Sequence, residues 1–77
     1  MEDFRIWGRI ERTAPSEFVV IVTAIPDSIG TASVQTLVET TPTHDAAKAT
    51  LRTLMTNLGT SIRTAGGRVV DTEIDGL

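Results

Sequence analysis

Apolar and polar residues alternate with a period of two from Phe4 to Arg12. Phe4, Ile6 and Ile10 fall on one side with Gly8 between them, and Arg5, Trp7, Arg9 and Glu11 fall on the other. That pattern predicts a half-buried strand. Thr13-Ala14-Pro15-Ser16 reads as a turn, because Pro15 presets φ and cannot donate to a ladder. A loop this short joins antiparallel strands in a hairpin. The second strand, Glu17 to Ile25, is different in kind. Phe18, Val20, Val22 and Ala24 make one face, and Val19, Ile21, Thr23 and Ile25 make the other. Both faces are largely apolar, as in a central strand covered on both sides. Pro26 ends it and opens a loop, Pro26-Asp27-Ser28-Ile29-Gly30.

A third strand is predicted from about Ser33 to Thr41, where Val34, Thr36, Val38 and Thr40 alternate with Gln35, Leu37 and Glu39. Its polarity and its threonines suit an edge. The period then changes to that of a helix. Ala47, Leu51, Leu54, Leu58, Ile62 and Ala65 form one continuous stripe, while Lys48, Arg52, Thr53, Thr56 and Arg63 lie away from it. Thr43 is placed to cap the start, and Asp45 suits the positive helix end. Gly59 interrupts the stripe and is a candidate bend, and Gly66-Gly67 marks the end. The last strand, Arg68 to Ile74, alternates Val70, Thr72 and Ile74 with Val69, Asp71 and Glu73. The element order is therefore β-β-β-α-β. A single helix against such strands makes an α+β two-layer sandwich, a four-stranded mixed sheet with one long helix on one face.

The whole chain, residues 1–77, is short enough to be one domain. Its 40% hydrophobic and 22% charged residues fit a folded domain rather than a disordered tail. The absence of cysteine excludes a disulfide framework, a thiolate zinc site and thiol catalysis. A net charge of −3 argues against non-specific nucleic-acid binding. No basic segment precedes an apolar run, and Phe18 to Val22 is too short to span a bilayer, so neither a signal peptide nor a membrane partner is expected. Lack of cysteine is consistent with a cytoplasmic protein.

One amphipathic helix covers one sheet face, for which Phe18, Val20, Val22 and Val70 are candidates. That leaves Val19, Ile21 and Ile25, with Trp7 and Leu37, on the opposite side. Large aliphatic side chains left in water forgo roughly 1.5–3 kcal/mol each. A patch of this kind marks an association site, and a two-fold dimer is the commonest solution. Trp7, Val19, Ile21 and Ile25 are therefore the candidate self-association residues. The competing reading is that the chain's own ends cover this face.

Candidate chemistry is sparse. His44 stands beside Asp45 at the helix start, with no nucleophile or carboxylate pattern to complete a catalytic set, and reads as an exposed first-turn residue. Asp71, Glu73 and Asp75 share a strand face. Such carboxylates bind hard cations in some proteins, but on an edge strand they also block unwanted pairing or meet a basic partner. Arg5, Trp7 and Arg9 share a face of the first strand, a combination found both in interface hot spots and in base-stacking sites. The acidic balance favours the protein interface. No P-loop or GxGxxG pattern occurs.

Three pieces in order carry a resemblance. They are the strand running into a Pro-Asp turn (Val20 through Pro26-Asp27-Ser28-Ile29-Gly30), Thr43-His44-Asp45-Ala46-Ala47 at a helix start, and the leucine-spaced helix that follows. Together they resemble the HicB-type antitoxin domain, whose Pro-Asp-x-x-Gly turn and Thr-x-x-Glu-Ala helix opening they echo. Ala46 stands where that family has Glu, and the stretch from Gly30 to Thr43 is longer. The resemblance implies a partial ribonuclease-H-like unit with strand order 3-2-1-4 that dimerises and acts as a stand-alone antitoxin-type protein. It also implies a small basic protein partner, for which an acidic surface makes electrostatic sense. The expected function is thus a non-enzymatic interaction module without cofactor or metal. It would self-associate through its uncovered sheet face, with Arg5, Arg9, Asp71 and Glu73 as possible partner contacts. The alternative is a small nucleic-acid- or ligand-binding domain using Trp7 and its flanking arginines, which the charge disfavours.

Overall fold

The hairpin, the crossing helix and the returning strand all form. The computed structural model describes residues 2–27 and 34–75. The elements run β1 (Asp3–Ala14), β2 (Glu17–Pro26), β3 (Gln35–Thr41), α1 (His44–Thr64) and β4 (Arg68–Asp75). The strands make one sheet in the order β3-β2-β1-β4. β2 is antiparallel to both neighbours, and β4 lies parallel to β1 after the helical crossover. This is the expected α+β two-layer architecture, with a mixed sheet and one helix.

β1 and β2 are each longer than their sequence pattern suggested, and the turn narrows to Pro15-Ser16. The pairing shifts between Arg12 and Ala14, so Thr13 is an extra residue that alternation does not count. Its hydroxyl donates to the Glu17 carboxylate across the hairpin end. At the far end, β3 begins at Gln35 among the described residues; Ser33 and the predicted loop residues Ser28, Ile29 and Gly30 lie outside them.

The core lies between α1 and one face of the two central strands. Phe4, Ile6 and Ile10 of β1 and Val20, Val22 and Ala24 of β2 are buried beneath Ala47, Leu51, Leu58 and Ile62 of α1. Phe18, Leu37, Leu54, Met55 and Val69 close its margins. Leu37 thus packs on the helix side, not on the open face: it pairs with Val22, whose side chain points into the core. Ala65 caps the helix and is exposed rather than part of the buried stripe. Gly59 is buried and does not break α1, which runs unbroken from His44 to Thr64.

Local chemistry sets both helix ends. The Thr43 side chain accepts from the Ala46 N–H at 3.1 Å while its own backbone is extended. Thr41, buried at the end of β3, donates its hydroxyl to the Thr43 carbonyl and joins edge strand to helix start. At the other end Gly66 has φ +89°, its N–H bonds to the Arg63 carbonyl, and the Gly67 N–H bonds to the Ile62 carbonyl. These two bonds are a Schellman termination. Arg68 follows at once, its backbone N–H on the Glu2 carbonyl and its guanidinium forked onto the Asp3 carboxylate at 3.1 Å. That pairing holds the Arg68 pKa above its ordinary value, through the hydrogen bonds first and the charge second.

Alternation fails in β4. Phe4 pairs with Val69, yet Arg5 pairs with Asp71. Val70 is set aside as a bulge and is 43% exposed, outside the core cluster. Val69 takes the core position that the period-two pattern assigned to Val70.

Candidate protein interface

The sheet face away from α1 carries Arg5, Trp7, Arg9, Val19, Ile21, Ile25, Asp71, Glu73 and Asp75, and the register lines them up in rows. Because paired neighbours share a face, Thr36, Thr23, Trp7 and Glu73 make one row across β3, β2, β1 and β4. Val38, Ile21, Arg9 and Asp75 make the next, and Ile25, Arg5 and Asp71 another. Val19 lies beside Thr40 and Glu11. Among the described residues no element covers this face, since α1 packs entirely on the other.

The face is divided lengthwise by polarity. Its β3–β2 half is apolar with threonines, and Trp7 extends the apolar area onto β1. Trp7 is 37% exposed, Ile25 43% and Val38 59%. Val19 and Ile21 are half-buried. Val38 belongs to this patch and escaped the sequence-based list. Its place depends on the β2–β3 register, which local alternation within either strand does not encode.

The β1–β4 half is charged. The arginines there already have partners: Arg5 Nε donates to Asp27 Oδ1 at 3.0 Å, and Arg9 pairs with Glu11 two residues along the same strand. Asp71, Glu73 and Asp75 do share one face, and it is the face of Arg5, Trp7 and Arg9. Asp71 accepts from the Thr72 N–H, but none of the three carboxylates forms a salt bridge among the described residues. The acidic row therefore forms one rim of the open face, next to arginines engaged elsewhere.

The remaining candidates lie apart from this face. His44 is half-buried rather than an exposed first-turn residue, its ring 5.6 Å from that of Phe18, which Arg12 also overlies at 5.9 Å. It is a packing residue at the join of helix and hairpin. No group of three metal-ligating side chains converges among the described residues, and no helix there is long and apolar enough to cross a membrane. No family model, curated protein or solved structure matches the chain.

Proposed function

We propose that this chain is a non-enzymatic protein-interaction module that self-associates through the open face of its sheet. The observation that carries the reading is the apolar patch of Trp7, Val19, Ile21, Ile25 and Val38, which no element covers among the described residues because α1 is already used on the other side. Patches of this kind on small domains are burial sites waiting for a partner surface. Size supports a second copy as that partner. Four strands spaced ~4.8 Å apart and seven residues long give a flat footprint of about 450 Å². With side-chain relief, this approaches the ~800 Å² per partner of an ordinary two-chain interface.

The resemblance to HicB-type antitoxins extends this reading to a small basic protein partner. Asp71 and Glu73 are then its contacts on the acidic rim, with Arg5 and Arg9 beside them. The nucleic-acid alternative loses support from the ion pairs of Arg5 and Arg9, which occupy the cations that a phosphate backbone would need.

Sedimentation velocity from low to high micromolar concentration tests the proposal. The expected result is a dimer that dissociates on dilution. A monomer persisting at high micromolar concentration overturns it.

A further inference from the structure

The charge layout of the open face selects how two copies would stack. We propose that they pack face to face about a two-fold axis running along the strands. In that arrangement the edge strand β3 of one copy lies over the acidic strand β4 of the other, with Thr36 opposite Glu73 of the second copy. The inference rests on the self-association reading above and adds the orientation.

Two stacked sheets related by a two-fold have the axis in the plane between them. Two limiting directions exist. An axis perpendicular to the strands places each strand over its own copy. β4 would then lie on β4, bringing the two unpaired acidic rows together. Like charges opposed in this way penalise an interface. An axis parallel to the strands, centred between β1 and β2, reverses the strand order instead. The outer pair becomes β3 over β4, and the inner pair β2 over β1. On this face β3 presents Thr36, Val38 and Thr40, none of them charged, because Glu39 pairs with Val20 and so belongs to the helix side. The acidic rows then sit at opposite rims of the dimer. Trp7 reaches the Thr23–Ile21 stretch of the other copy, and the arginines, already paired within their own chain, cover it with their aliphatic stems. The usual ~30° rotation between aligned sheets shifts the outer strands by about 4 Å along their length, less than the ~6.6 Å that separates Glu73 from Asp71 or Asp75, so Glu73 stays opposite Thr36.

The test is a charge cycle on the full chain, read by sedimentation equilibrium at low and high salt. Within one chain Thr36 and Glu73 occupy the same row three strands apart. That is about 14 Å, beyond the screening length of ~10 Å at 0.1 M salt. Coupling between them therefore reports a contact between copies. Thr36→Lys is expected to tighten the dimer about threefold to tenfold at low salt, two symmetry-related pairs forming per dimer. The gain should fade at high salt and shrink in the Glu73→Gln background. Thr36→Glu should loosen the dimer. A wild-type dimer in which Thr36→Lys changes nothing, or tightens equally with and without Glu73, overturns the orientation while leaving self-association standing. A wild-type chain that stays monomeric removes both.

Discussion

Leu51 of α1 sits directly on Gly8 of β1: its Cδ1 lies 2.6 Å from the point where a Cβ on Gly8 would be, with Met55 Sδ at 3.1 Å. The helix can approach the sheet this closely because the strand has no side chain there. Gly8→Ala should therefore destabilise the domain by about 1–3 kcal/mol through overpacking. Leu51→Ala should cost about 2–5 kcal/mol by leaving a cavity. The two should not add. In the Leu51→Ala background the added methyl at position 8 meets only Met55 Sδ closely, and urea denaturation should show most of its penalty gone. Additive losses would mean that Leu51 does not set the helix–sheet spacing.

The adjacent glycines after α1 serve different ends, and substitution should separate them. Gly66 has φ +89° and open space around it, so Gly66→Ala should cost roughly 1–2 kcal/mol from backbone strain alone. Gly66→Asn should recover part of that, since Asn tolerates the left-handed region. A Cβ on Gly67 would meet Ile62 Cγ2 at 2.8 Å and Phe4 Cε1 at 2.9 Å. Gly67→Ala should thus behave as a packing defect, relieved by trimming Ile62. Thermal unfolding of the three variants checks the distinction.

Removing the Thr43 side chain tests the other end of the helix. Thr43→Ala deletes the acceptor for the Ala46 N–H and should cost about 1 kcal/mol, whereas Thr43→Ser or Thr43→Asp should preserve most of the stability. Thr53 offers a control, an exposed helix residue whose hydroxyl bonds to the Ala49 carbonyl one turn back. Its replacement by Ala should lie within about 0.5 kcal/mol of wild type.

Trp7 is the natural reporter for the open face. At 37% exposure it contributes little to the core, so Trp7→Ala should leave the far-ultraviolet dichroism unchanged and weaken self-association. In the intact chain its fluorescence should shift to the blue as concentration rises and the face is covered. The melting temperature should rise over the same range, because association stabilises the folded state by mass action. An unchanged oligomer size in Trp7→Ala would count against the interface.

Period-two and helical spacing sufficed for the architecture, because burial in this domain follows them closely over β1, β2 and α1. Ile6, Val22 and Leu51 are buried where alternation and the helical stripe place them. The misplacements occurred where a register decides the side. Leu37 and Val38 exchange roles because their faces follow from pairing with Val22 and Ile21, a register that no local pattern encodes. Val69 and Val70 exchange roles because a bulge is invisible to alternation. The acidic row was visible as three carboxylates sharing a face. Its position beside Arg5, Trp7 and Arg9 came only from the parallel pairing of strands far apart in sequence.

Val70 has a consequence out of proportion to its size. By standing outside the count, it decides the parity of everything after it. Were it paired in turn with Arg5, the next residue, Asp71, would fall beside Ile6, and the acidic side chains would point beneath the helix into hydrocarbon. Deleting Val70 outright should consequently be milder than smoothing it into the strand: the shortened chain keeps Asp71 beside Arg5 and every later pairing with it. Insertions or deletions of one residue anywhere from 71 to 74 have no such refuge and would turn part of the strand inside out.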